Sequence, residues 1–213
     1  MNSDKLIEVA LSHFADRGVD SASLGEIASD ADVPIERLRA QYSSTDELFD
    51  ECIALATQGL SEDLLALAED EVTPADRVVR MTRRLASPTS AEAAGLLVIV
   101  RELLDGHARA VRAFRASLGD LFDEFLRIIG EAQFRGEVVP LPPRFLMTVL
   151  LSGVVFPQVV GFGNVEGRLG GIHERFEGPG APPRSALLAA SIEALFNGIL
   201  KVPVDLDPRG AVH

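Results

Sequence analysis

LIEVALSHFADRGVDSASLGEIASDADVPIERLRAQYSSTDELF, residues 6–49, decides the fold of this chain. Apolar side chains recur in it at three- and four-residue spacing: Leu6, Ile7, Ala10, Leu11 and Phe14, then Leu24, Ile27 and Ala28, then Val33 and Leu38. That period marks one face of an α-helix, and no stretch alternates as a half-buried strand does. The stops are equally legible. Gly18 sits where a first helix should end. Ser23 with Glu26 and Ser44 with Glu47 form S/T-x-x-E capping boxes, whose hydroxyl and carboxylate satisfy amides that a helix start leaves unpaired. The spacing predicts helices over 3–17, 24–31 and 35–42, a small three-helix core closed by the start of a fourth helix at 45.

The same signals continue outward. Thr73-Pro74 places a capping hydroxyl before a proline at the first helical position, Thr89 with Glu92 repeats the capping box, and Gly106 and Gly136 mark further ends. They predict helices over 45–70, 74–87, 90–105, 108–135, 143–163 and 183–201. The expectation is an all-α chain of nine helices. Residues 1–46 form a three-helix head, 47–201 a helical body and 202–213 a flexible tail. The Gly- and Pro-rich run 164–183 reads as a long loop.

Composition narrows the class. Of 213 residues, 47% are hydrophobic and 24% charged, with a net charge of −12; this is ordinary globular usage, with a sign that works against non-specific attraction to nucleic acid. The single cysteine, Cys52, reads as a small buried core residue. The first residues carry an acid and lack a long apolar run, so no signal peptide is expected and the location expected is cytoplasmic. The uncharged run Phe145–Gly163 has the length of a membrane span. Pro157, Gln158 and three glycines favour instead a helix buried between two subunits. No Gly-x-Ser-x-Gly, His-Glu-x-x-His, phosphate loop or Cys/His cluster is present, so no catalytic residue, metal site or cofactor is expected.

Phe14-Ala15-x-x-Gly18, Ile27-Ala28-x-x-Ala31 and Ser44-x-x-Glu47-Leu48-Phe49 follow one another at the spacing of a known head. This segment resembles the helix-turn-helix of the tetracycline-repressor (TetR) family, and the layout of the remaining helices is similar to that family's ligand-binding and dimerising body. The resemblance implies a homodimer through helices 143–163 and 183–201. It also implies a ligand-responsive regulator, usually a repressor, released from operator DNA by a small molecule. It lays 35–42 in the major groove, with Ile35, Arg37, Arg39 and Gln41 facing DNA, and assigns phosphate contacts to Ser23, Tyr42, Ser44 and Thr45.

The head departs from that pattern. Arg39 stands where the family commonly has Tyr, Thr45 where it has Lys, Asp32 at the turn glycine and Glu36 at a small residue. Residues 1–60 hold twelve acids against four bases, Lys5, Arg17, Arg37 and Arg39, a balance of −8. Phosphate neutralisation supplies most non-specific DNA affinity, so this balance is unfavourable. Two readings follow: a DNA-binding regulator, or a TetR-like protein whose head has lost DNA and which serves as a ligand-binding or protein-interaction module, an enzyme of the body cavity being the remoter variant. In the first, Arg37 and Arg39 reach for DNA; in the second, they pair with Glu36 and nearby acids.

The resemblance also implies a cavity among helices four to eight. Its candidate lining is Leu64, Val79, Leu97, Val100, Leu104, Phe114, Phe122, Phe125 and Met147, with Arg101 and His107 as polar groups able to orient a ligand. Such a lining suits a hydrophobic small molecule. Each of these residues is equally a candidate for plain core packing.

Overall fold

A computed structural model describes residues 3–157 and 184–201. Among the described residues the chain forms nine α-helices: α1 (Ser3–Arg17), α2 (Leu24–Asp30), α3 (Ile35–Gln41), α4 (Thr45–Ala68), α5 (Pro74–Ala86), α6 (Ser90–Leu104), α7 (Ala108–Phe134), α8 (Pro143–Pro157) and α9 (Arg184–Ile199). A 3-10 turn, Val19–Ser21, follows α1. The all-α expectation holds, with helix ends within two residues of their predicted places wherever both ends are described. The end predicted for 143–163, the loop 164–183 and the tail 202–213 lie outside the described residues. No described helix is long and apolar enough to cross a membrane.

The stops act as their residue types dictate. Gly18, Gly106 and Gly136 take φ of 81°, 77° and 72°, a region that costs a side chain but not glycine. Asp32 is the one described non-glycine residue with positive φ, at 58°; a short polar side chain tolerates it. Ser23, Thr73 and Thr89 each accept the amide of the third residue on, and Thr89 with Glu92 closes a full capping box.

The chain divides into two compact units: Met1–Glu62 with Pro88–Asp120, and Asp63–Ser87 with Leu121–His213. This partition cuts across the head-and-body boundary drawn at residue 46, because α6 and the first half of α7 pack with the head. In the first unit Phe14, Ile27, Leu38, Leu48, Phe49 and Ile53 share one core with Val98, Ile99 and Ala113. Phe14 and Phe49 meet edge to face, centroids 6.0 Å apart at 72°, an arrangement adding about 1 kcal/mol to their burial. Cys52 lies in this core, as expected, and burial pushes its thiol up to about 12.

α6 crosses α4 at Gly95, where an added Cβ would stand 2.8 Å from the Ala56 Cβ. Gly95→Ala therefore forces backbones apart at a cost of about 1–3 kcal/mol, more than the ~1 kcal/mol of helix propensity that alanine returns. Gly130 in α7 has nothing within 4 Å of such a Cβ. Thermal unfolding should show Gly95→Ala melting below wild type and Gly130→Ala above it; the same sign in both would contradict this contact.

In the second unit α5 buries Val78, Val79, Met81, Leu85 and Ala86 and packs with α8 and α9. α9 buries Ile192, Phe196 and Ile199, and its end is tied by Val139 N–H to Ile199 O, 3.0 Å, and Lys201 N–H to Glu137 O, 2.8 Å. At Gly153 an added Cβ would stand 2.1 Å from Leu195 Cδ1, so α8 and α9 touch through glycine. The outward residues Ala190, Ser191, Glu193, Ala194, Asn197 and Gly198 are small or polar. The larger side chains Ile192, Phe196 and Ile199 turn into the unit.

Candidate functional site

The helix-turn-helix is built from α2, the Ala31–Pro34 turn and α3. Val33 N–H donates to Ala28 O across the turn, 2.9 Å. Asp32 supplies the left-handed step, and Leu38 anchors α3 at zero exposure. With Leu38 inward, Glu36, Arg37, Arg39, Ala40 and Gln41 turn outward, and Ile35 is half-buried. No ion pair joins Arg37 or Arg39 to any described residue, Glu36 included, whereas the pairs elsewhere in this unit lie within 2.7–3.6 Å. Two exposed guanidinium groups without a partner among the described residues can make forked contacts to base edges or phosphates.

The four residues expected to contact phosphate are placed less uniformly. Ser23 caps α2: its Oγ accepts the Glu26 amide at 3.2 Å, and its hydroxyl donates to Glu26 Oε2 at 3.1 Å. Tyr42 is packed into the core at 8% exposure, and its hydroxyl accepts Gln41 Nε2 at 2.9 Å. Burial pushes this phenol up. Ser44 and Thr45 are half-buried at the start of α4. Ser44 Oγ accepts the Glu47 amide, and Glu47 takes the Ser43 N–H at 2.6 Å. That backbone hydrogen bond holds the Glu47 carboxyl below its ordinary value.

The acidity of the head is partly neutralised from outside it. Asp50 is paired with Arg112 of α7, and Arg109 of α7 holds Asp20 and Asp46. Within the head, Glu26 meets Arg17 and Asp30 meets His13. Five of the twelve acids in residues 1–60 thus carry an ion-pair partner, and three of the five are held by Arg109 and Arg112, at least 62 residues downstream of them. A count along the sequence misses them because the neutralising charge arrives by packing.

Arg109 and Glu102 form the centre of this pairing. Glu102 is 1% exposed. It accepts Arg109 Nε at 2.7 Å and Val19 N–H at 3.5 Å, and lies 2.8 Å from His107 Nδ1. Burial raises its carboxyl, but the Arg109 hydrogen bond and charge, with Val19 and His107, outweigh it, leaving it below its ordinary 4.5. Asp20 is held low by the Arg109 guanidinium 2.7 Å away. A carboxyl held low stabilises the fold above its ordinary value, and that stability is lost as pH falls through the folded-state value. Unfolding midpoints should therefore fall as pH drops from 5 toward 3, and Glu102→Gln should flatten this fall; an unchanged acid profile in Glu102→Gln would remove Glu102 as its source. Asp105 and His107 bring donor atoms within 4.8 Å of Glu102, a set able to hold a cation, but the Glu102 oxygens are already occupied by Arg109, His107 and the Val19 amide.

The proposed ligand lining divides between the units. In the first, Leu97, Val100 and Phe114 are half-buried. Leu104 is 81% exposed: it is the last residue of α6, and the Asp105–Gly106 turn leaves nothing packed over it, so it lines no cavity there. Arg101 is committed to Phe14 O and Ala15 O, capping the end of α1, and His107 faces Glu102 and Asp20. Both are structural rather than free polar groups. In the second unit Leu64, Val79 and Phe125 are core, with Phe122 and Met147 half-buried. An open groove there is lined by Asp123, Leu126, Arg127, Pro142, Pro143 and Arg144, none of them in the predicted set.

Solved structures share this architecture. A candidate fatty acid metabolism regulator of Clostridium perfringens superposes with a TM-score of 0.71 at 17% identity, covering 94% of this chain and all of the other. AibR, solved with isovaleryl coenzyme A and operator DNA, gives 0.67 at 15% identity over 93% of this chain and 100% of its own. A TetR/AcrR-family regulator of Thermobifida fusca gives 0.61 at 16% over 92% and 98%. The chain has the all-α fold of TetR-family regulators. No protein-family model and no curated protein matches the chain.

Proposed function

We propose that this chain is a ligand-responsive transcriptional regulator, a repressor by its layout, that binds operator DNA as a homodimer and acts in the cytoplasm without catalysing a reaction. The observation that carries the reading is α3: a helix-turn-helix recognition helix presenting Arg37 and Arg39 outward, with no acid among the described residues paired to either. Phosphate contacts position such a helix and base-edge contacts specify its site. Ser23, Ile35, Gln41, Tyr42, Ser44 and Thr45 surround these arginines in the reading. The pairing of Asp20, Asp46 and Asp50 by α7 arginines lowers the charge barrier that the head would otherwise present.

The dimer is assigned to α8 and α9: the small and polar outward residues of α9 allow a second copy's helix to approach, and α8 leaves Phe145 exposed for it to cover. The ligand is a hydrophobic small molecule; the apolar side chains left half-buried in the second unit, Phe122 and Met147, are its candidate contacts, and a short acyl group of the kind carried by isovaleryl coenzyme A is one member of that class.

The second reading, a TetR-like ligand-binding or interaction module without DNA, draws on the seven acids of residues 1–60 that have no ion-pair partner among the described residues, Asp32 before the recognition helix and Glu36 on it among them. Titration of the purified protein onto the DNA upstream of its own coding region, at 50 and 200 mM salt, separates the two. Binding that weakens steeply with salt supports the regulator; absence of binding at the lower salt leaves the module.

A further inference from the structure

We infer that Arg109 is a positioning residue for DNA binding, setting the place of the α4 first turn and of the turn after α1 from the α6–α7 corner; this rests on the regulator reading. Its guanidinium is shared between three carboxylates from three different elements. Nε donates to Glu102 of α6 at 2.7 Å, one terminal nitrogen to Asp46 of α4 at 3.0 Å, and the other lies 2.7 Å from Asp20 of the 3-10 turn. The side chain is 11% exposed, so this is an enclosed junction and not a surface pair.

The geometry explains why an arginine is needed. A planar fork offers donors in three fixed directions, and a lysine ammonium cannot span three acids held apart by separate helices. Asp46 is the second residue of α4, immediately after Ser44 and Thr45. Asp20 lies three residues before Ser23, the α2 cap. Both ends of the DNA-facing element are therefore tied to one side chain on α7. Glu102 fixes that side chain in turn, with His107 and the Val19 amide completing its oxygens.

Arg112 supplies an internal control. It lies one turn further along α7 and also binds an α4 acid, Asp50, but singly and at 53% exposure. Arg109→Ala and Arg112→Ala remove the same charge from the same helix. An effect of net charge on DNA affinity is equal in the two; a positioning effect belongs to Arg109 alone.

The experiment measures operator affinity at 50 and 200 mM salt for wild type, Arg109→Ala, Arg109→Lys and Arg112→Ala. Each is held at a temperature where circular dichroism shows it fully helical. Hydrogen exchange of residues 19–23 and 43–48 is followed in parallel. The inference expects affinity to fall at least about tenfold in Arg109→Ala, only partly restored in Arg109→Lys, and to change less than about twofold in Arg112→Ala, with exchange faster at both segments in Arg109→Ala. Equal affinity losses in the two alanine variants, or wild-type affinity in a helical Arg109→Ala with unaltered exchange, would overturn it. If wild type itself binds no DNA, the regulator reading fails, and the exchange data decide by themselves whether Arg109 positions these two turns.

Discussion

The Arg37→Ala/Arg39→Ala double variant is expected to lose at least about 30-fold in operator affinity, since each forked arginine contact to a base is worth about 1–3 kcal/mol. Its fold should be unaffected. Both side chains are exposed and neither takes part in an ion pair among the described residues, and surface changes of this kind stay within about 0.5 kcal/mol. The salt series then tells which contacts they make. Two lost phosphate contacts reduce the slope of log affinity against log salt by about 1.8; two lost base contacts leave the slope and relax sequence preference instead. Wild-type affinity with an unchanged slope would show that α3 does not read DNA and would return the head to the module reading.

The largest loss of stability is expected from Glu102→Ala, about 3 kcal/mol, or roughly 6–12 °C in midpoint for a chain of this size. The variant deletes a carboxylate that is 1% exposed and strips an acceptor from Arg109 Nε, His107 Nδ1 and the Val19 amide at once. Arg109 is itself only 11% exposed, and an enclosed charge left without a partner costs more than the pair contributed. Arg109 keeps Asp20 and Asp46, so the loss should sit at the lower end of the range for a broken buried pair. Asp50→Ala, which breaks the exposed Arg112 pair, serves as the comparison, with an expected change under about 1 kcal/mol. A Glu102→Ala midpoint within a degree or two of that comparison would mean that the junction carries no net stability.

Much of the fold was legible because its signals are local. A capping hydroxyl, a proline at a first turn and a glycine at a left-handed stop act over three or four residues, and each is visible in the order of letters. Thr89 with Glu92, Thr73-Pro74, and the three glycines at 18, 106 and 136 all act where the sequence puts them. The outward set on α3 was legible for the same reason: once Leu38 is the apolar anchor, helical geometry sends Arg37, Arg39 and Gln41 the other way.

The ligand lining was harder to read. Periodicity identifies an apolar face but not what lies opposite it, so Leu64 and Val79 in the core and Leu104 in solvent carry the same sequence signature. Arg101 looked like a polar group in an apolar helix, available to a ligand. It is instead the cap of a helix 86 residues earlier in the chain.

The sequence by itself therefore determined the helices, their ends, the helix-turn-helix and the direction in which its arginines point, since each depends on neighbours a few residues away. The tertiary structure alone decided where charge is neutralised and which polar groups are spent. The −8 counted along residues 1–60 is offset at Asp20, Asp46 and Asp50 by Arg109 and Arg112. Coulomb energy depends on distance through space, and only packing brings α7 within hydrogen-bond reach of α4 and the turn after α1.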